Sequence, residues 1–467
     1  MGRRAGGWMW VTLLVGASLA MPAAAGGRVD EYVLDNGLRV LVKPDRRAPV
    51  VVSQVWYRVG SSYEHDGITG ISHMLEHMMF KGTETYGPGE FSRLIAAEGG
   101  RENAFTGQDY TGYFQNLASD RLEVSFRLEA DRMAGLRLRE EDFLKERAVV
   151  SEERRLRTED EPESLTYEVF QATAYQTSPY RHPVIGWMAD IEAYTLQDLK
   201  DWYRRWYAPN NATLVVVGDV EPEAVLALAR EHFGPLPPAE VRPPKPRPEV
   251  EQTGLRRVVV SAPAELPYLV LGYKAPTVKE AREDWEPYAL AVLAAVLGGD
   301  ESARLQRRLV RGEEIAADAG ASYDPFDRMT TLFTVAATPA GGRTVGELEA
   351  KLREEVGRLR EAPIDPAELD KVKTQVVASD VYQLDSVMAQ AMRLGRLETV
   401  GAGWRVGEEY VERIRAVTPE QIHAVARKYL VDASLTVAHL EPRLAERSAA
   451  GTGAGTGTTP AGSSHAR

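Results

Sequence analysis

The chain has 467 residues, 44% hydrophobic and 27% charged, with a formal net charge of −12 and a mean hydropathy of −0.31. This is the profile of a globular protein with two or three domains, and it excludes collagen-like, disordered and polytopic membrane chains. The acidic balance offers no basic footprint for nucleic acid, and the lack of cysteine rules out disulfides, thiolate zinc sites and cysteine nucleophiles, so any metal must be held by His, Asp or Glu.

Arg3 and Arg4 precede a short apolar run from Trp8 to about Met21, and Ala23-Ala24-Ala25-Gly26 follows. Basic, apolar and small-residue stretches in that order predict a signal peptide over residues 1–25. The run is short for a span of about 20 residues. No cysteine follows it to take a lipid anchor. The expectation is a periplasmic or secreted protein.

Leu34 to Val42 reads as strand, Asn36-Gly37 turn, strand, and Val50 to Tyr57 as a second β-rich run. Ile68 to Phe80 and Pro88 to Glu98 read as helices, Thr111 to Leu117 as an alternating strand. Leu122 to Leu136 and Glu140 to Arg157 read as helices with mixed charged faces, and Thr213 to Val217 as a buried strand. Seven prolines crowd the fourteen residues from Pro235 to Pro248. They can continue neither a helix nor a central strand, so residues 235–253 are a stiff extended connector between domains at 30–234 and 254–443. Both domains close in the same way. Thr195-Leu-Gln-Asp-Leu leads to Leu214–Val217 and Glu221-Pro222, and Thr418-Pro-Glu-Gln-Ile leads to Leu435–Val437 and Glu441-Pro442. Matching order and spacing point to internal duplication of an α+β unit, each a mixed sheet flanked by helices. Residues 444–467 turn to Gly, Thr, Ser and Ala, a low-complexity composition that predicts a disordered tail.

The chemistry concentrates at His73-Met74-Leu75-Glu76-His77. Positions i, i+3 and i+4 share one helical face, so two imidazoles one turn apart can grip one ion while a carboxylate beside them reaches its water. Catalytic zinc takes three protein ligands plus water. A third ligand is on offer in Glu146-Arg-Ala-Val-Val-Ser-Glu152-Glu153, where Glu146 and Glu153 lie two helical turns apart on one face. The residues alone do not choose between Glu146, Glu152 and Glu153, and glutamates in such a run commonly form a solvated face paired with arginines.

The H-x-x-E-H order marks the inverzincins. The chain resembles the pitrilysin/insulinase family of zinc peptidases, in particular its half-length branch, which includes mitochondrial processing peptidase and bacterial relatives. In that family a third-ligand Glu follows the second His inside an E-R-x-V-V-x-E-E pattern. Residues 146–153 fit the pattern, and Glu153 lies 76 residues beyond His77. The resemblance implies one Zn²⁺ per chain on His73, His77 and Glu153, Glu76 as general base, and Glu146 as a catalytic carboxylate that supports the ligands. It also implies that Gly99 to Thr106 is an edge strand to which substrate adds, with Asn103 and Ala104 as contacts. Arg181-His182-Pro183 is family-like, with a structural role expected for His182.

The resemblance departs in the second half. Full-competence members carry an Arg and, seven residues later, a Tyr for substrate binding and the tetrahedral intermediate. Arg311 fits the first position, whereas Asp318 stands at the second and Tyr323 is out of register. An acid is a poor oxyanion donor. The expectation is an endopeptidase acting on peptides or unfolded segments in a closed chamber, as the zinc-bearing subunit of a heterodimer whose sister lacks the zinc motif. A homodimer is the alternative pairing, and a non-catalytic assembly subunit retaining a metal site the alternative function.

Overall fold

The computed structural model describes residues 28–443; the expected signal peptide and tail lie outside the described residues. The first sheet contains β1 (Asp30–Val33), β2 (Arg39–Pro44), β3 (Val50–Tyr57), β4 (Arg101–Thr106), β5 (Thr111–Ala118) and β6 (Ala212–Gly218). Its spatial order is β1-β2-β6-β3-β5-β4. The second contains β7 (Arg256–Pro263), β8 (Tyr268–Ala275), β9 (Ala316–Ser322), β10 (Thr331–Pro339) and β11 (Leu435–Arg443), in the order β7-β11-β8-β10-β9.

Removing β1 makes the two sheets the same diagram. In the first, β2 runs parallel to β6, then β3, β5 and β4 follow antiparallel. In the second, β7 runs parallel to β11, then β8, β10 and β9 follow antiparallel. The repeated closing segments are helices Leu196–Trp206 and Pro419–Tyr429, each opened by a reciprocal cap, Thr195 with Asp198 and Thr418 with Gln421. The fold is a duplicated α+β unit.

Central strands β3 and β6 are buried on both faces, as their unbroken Val-rich runs demand. One face meets the domain's own helices, α1 (Ile71–Met78), α2 (Glu90–Ala97), α3 (Leu122–Gly135) and α4 (Glu140–Arg154) among them. The opposite face meets the other domain. Helix Val387–Thr399 of the second domain lays Ala391 and Leu394 on Leu41, Val52, Trp56, Val215 and Val217. In return α5 (Pro162–Ala174) lays Phe170 and Ala174 on Val270, Leu332 and Ala438 of the second sheet. A partly buried ion pair adds to the junction: Arg328 Nε donates to Asp109 Oδ1 at 2.7 Å and Arg328 Nη2 to Ser62 Oγ at 2.7 Å. The residues between His232 and Arg256 form no helix or strand. This connector is tied down where the Glu249 carboxylate accepts the backbone N–H groups of Gln176, Thr177 and Ser178, each at 2.9 Å.

The helix expected over Glu140 to Arg157 ends earlier. It is α-helical to Arg154 and then widens into a π turn, Arg155–Glu159. Arg154 points inward there, onto Glu168.

Candidate metal centre

The motif helix α1 is fixed at its N-terminus before it offers any ligand. Gly70 caps it with φ +86°, and a Cβ there would come within 2.3 Å of the Ile185 carbonyl oxygen. Only glycine meets both conditions. The buried Glu64 carboxylate accepts the N–H groups of Gly70 (2.6 Å) and Ser72 (2.8 Å), satisfying donors that the first turn leaves orphaned. Burial pushes Glu64 up to about 7, against the pull of those two donors. Trp202 Nε1 holds the Ser72 hydroxyl at 3.1 Å. Met74, Leu75 and Met78 face the core, so α1 presents its polar stripe in one direction.

That stripe meets α4. His73 Nε2 and His77 Nε2 lie 3.9 and 3.3 Å from Glu153 Oε2. One ligand atom from each of His73, His77 and Glu153 falls within 4.8 Å of the others. Glu146 approaches the other side of the same imidazole, with Oε2 3.3 Å from His77 Nδ1, while its Oε1 meets Lys81 Nζ at 2.5 Å. The three open glutamates thus take different places. Glu153 faces both imidazoles, Glu146 sits behind one of them, and Glu152 is exposed and pairs with Arg155. Arg157, one turn beyond Glu153, holds Glu153 Oε1 at 2.6 Å.

Glu76 stands beside the cluster. Its Oε2 accepts the Thr106 hydroxyl at 2.5 Å, and burial pushes its carboxyl above the usual range. Burial also pushes His73 down to about 3, with His77 and Arg157 adding to the effect. An imidazole so disposed is neutral and keeps a lone pair for a cation. Two imidazole nitrogens and a carboxylate oxygen, with a carboxylate behind one imidazole, form a donor set suited to zinc.

Strand β4 forms one wall of the cavity in front of the cluster, a space of about 710 Å³ that Asn103, Ala104, Phe105 and Thr106 help to line. Among the described residues β4 pairs only with β5, which leaves its second edge open. The Asn103 carboxamide oxygen accepts Ala104 N–H at 2.9 Å. His182 is directed away, 3.0 Å from Asp66 Oδ1.

Arg311 lies elsewhere. It is half exposed in the second domain, bound to Glu301, and lines no part of this cavity. Asp318 sits exposed on edge strand β9 and accepts Gln306 Nε2 at 2.9 Å. Tyr323 is committed to packing, its ring stacked on Phe333 and its hydroxyl bonded to the Pro276 carbonyl. Where the first domain has α1, between β3 and β4, the second has the apolar helix Glu286–Gly298 between β8 and β9. That helix carries neither histidine nor cysteine, and the only such donor group among the described residues is His73, His77 and Glu153.

Sequence reasoning overlooked four supporting residues. Lys81 and Arg157 were legible as i+4 neighbours of His77 and Glu153. Thr106 stood inside the segment expected to bind substrate, but spacing alone does not aim its hydroxyl at Glu76. Glu64 carried no signal, because its partners are backbone groups.

Two family profiles divide the chain. "Insulinase (Peptidase family M16)" matches residues 39–186, and "Peptidase M16 inactive domain" matches residues 193–376. The chain belongs to the M16, or pitrilysin/insulinase, family. The zinc protease PqqE of Helicobacter pylori is 37% identical over 365 residues, 76% of this chain and 80% of that protein. An uncharacterized zinc protease of Mycobacterium tuberculosis is 32% identical over 425 residues, 89% of this chain and 93% of that one. Among solved structures, a protease from Helicobacter pylori superposes with a TM-score of 0.85 at 33% identity, covering 89% of this chain and all of that one. The first half of the periplasmic protease PqqL from Escherichia coli shares the fold, with a TM-score of 0.74 at 21% identity over 88% of this chain and 91% of that one.

Proposed function

We propose that this M16 protein is a zinc-dependent endopeptidase that hydrolyses peptides or unfolded polypeptide segments. The carrying observation is the convergence of His73, His77 and Glu153 from two helices, with Glu76 beside them at the foot of an open-edged strand. In this reading those three residues hold the ion, and Glu146 fixes the ring of His77. The bound Zn²⁺ supplies Lewis acidity and an acidified water. The substrate adds to β4 through backbone hydrogen bonds, which brings a peptide carbonyl to the cluster whatever its side chains. Glu76 removes the proton from the attacking water and returns it to the departing amine. Thr106 holds one oxygen of Glu76 and leaves the other free for that proton.

The test is Glu76→Gln. Zinc content stays at one per chain while cleavage of a quenched fluorescent peptide falls about 10²–10⁴-fold. Equal activity in that variant removes Glu76 from the mechanism. Chelator abolishes cleavage by the parent protein, and added zinc restores it. Neither imidazole nor carboxylate distinguishes zinc strongly from manganese or cobalt, so restoration is measured with all three.

The working form in this reading is a pair of chains. Arg311 stands outside the zinc cavity and Asp318 replaces the expected Tyr, so the cation and oxyanion donor come from a sister subunit. Full activity of the purified chain as a homodimer, or as a monomer, overturns the heterodimer. In this reading the residue 1–25 pattern is a cleaved signal peptide and the protein works in the periplasm or outside the cell, which N-terminal sequencing of the natural protein checks.

A further inference from the structure

The charged side chains lining the zinc cavity are all matched but one. Glu168 is held at two points by Arg154, each at 2.8 Å. Glu153 Oε1 is held by Arg157 while its Oε2 faces the imidazoles. Glu76 is held by Thr106. Arg181 lines the same cavity and is only half exposed. Among the described residues no carboxylate lies within ion-pair distance of it. Pro183, Val184 and Ile185, which follow closely in the chain and line the same cavity, offer no charge. A half-buried guanidinium has lost part of its hydration without gaining a partner.

The imbalance grows when the cluster is filled. A divalent cation cancels the charges of Glu76 and Glu153, which leaves the guanidinium groups of Arg157 and Arg181 in excess. Their planar forks match a carboxylate in geometry and sign.

Resting on the peptidase reading, we propose that Arg181, with Arg157 at the rim, selects an acidic side chain of the peptide substrate close to the scissile bond. A peptide added to β4 sends successive side chains to opposite faces. Arg181 therefore reads one position of the substrate rather than its total charge. The chain as a whole carries −12 and repels anionic peptides at long range, so the preference is local. A contact of this kind is screened by salt much less than long-range attraction is.

The experiment walks a single Glu through each position of a quenched fluorescent peptide, with Gln and Lys counterparts. It compares kcat/KM between the three at each position. The zinc-loaded protein favours Glu over Gln about tenfold at one position, as a charge-assisted pair predicts, and keeps the ratio at high salt. R181Q brings the ratio to about one, R181K retains part of it, and R181E turns the preference towards Lys. Ratios within one variant do not depend on how much of it is folded or loaded. The same order appears in peptide Kd values for metal-free E76Q, read by fluorescence anisotropy. An unchanged Glu/Gln ratio in R181Q, or no Glu preference at any position, overturns the assignment of Arg181. Failure of the zinc-loaded protein to cleave any of the peptides sinks the peptidase reading instead, and this inference with it.

Discussion

The hydroxyl of Thr106 donates to Glu76 Oε2 at 2.5 Å, which ties the edge strand β4 to the motif helix α1. The bond fixes the carboxylate's rotation and leaves Oε1 free. Thr106→Val keeps the shape and removes the donor. A hydrogen bond to a charged group contributes about 1.5–3 kcal/mol, so kcat is expected to fall about 10–100-fold while zinc content is unchanged and KM shifts little. Thr106→Ser restores most of the rate. If Thr106→Val turns over at the parent rate, the tie has no part in catalysis.

Glu146 lies behind the ring of His77. Its Oε2 lies 3.3 Å from Nδ1, while Nε2 of the same ring faces Glu153. A carboxylate in that place fixes ring orientation and tautomer and raises the basicity of the nitrogen that faces the ion. Glu146→Gln is expected to weaken zinc binding about 10–100-fold, measured by competition with a chelator of known affinity. Activity returns at saturating zinc. A change in kcat at saturating zinc with the affinity unaltered would place Glu146 in the chemistry itself.

Much of this site was legible because helical period is a geometric constraint. His73 and His77 face one way wherever that stretch is helical, and Glu146 and Glu153 do so on α4. Spacing could not say which glutamate meets which nitrogen, since that depends on how two helices cross. The open edge of β4 followed from family resemblance, and Asn103 and Ala104 line the cavity wall. The exchange of helices between domains had no signature. The apolar residues of Val387–Thr399 show that one face is buried, but periodicity does not name the surface that covers it. The π turn at Arg155–Glu159 was missed for a related reason: it accommodates the long-range pairing of Arg154 with Glu168, which a local pattern does not contain.

Glu64 links stability to pH. Its folded-state value is raised to about 7 from 4.5, chiefly by burial. A raised carboxyl means that the folded protein binds the proton more tightly than the unfolded chain. Its contribution is therefore fully present below about pH 4.5 and is lost as pH rises through about 7. Urea unfolding with chelator present reads this as the free-energy difference between the parent and Glu64→Gln. That difference is expected to move against the parent by a few kcal/mol across the window. A flat difference would show that the two N–H donors of α1 hold Glu64 ionised throughout.

The helix exchange makes its own demand on two glycines. A Cβ on Gly395, in the helix Val387–Thr399, would lie 2.0 Å from the Trp56 indole nitrogen. A Cβ on Gly272, in β8, would lie 2.3 Å from Phe170 Cζ. Neither glycine has a left-handed φ, so the constraint is close approach and not backbone strain. Trp56 and Phe170 are both fully buried and have no room to retreat. Gly395→Ala and Gly272→Ala are each expected to destabilise the protein by about 1–3 kcal/mol through overpacking. Within each domain's own helix layer the packing is undisturbed, so the loss should fall at the junction. Limited proteolysis is the sensitive readout: cleavage within residues 235–253 accelerates in both variants, while each sheet stays protected. Equal acceleration of cleavage throughout the chain would mean that the two domains unfold as one unit, and that the exchanged helices do not form a separable joint.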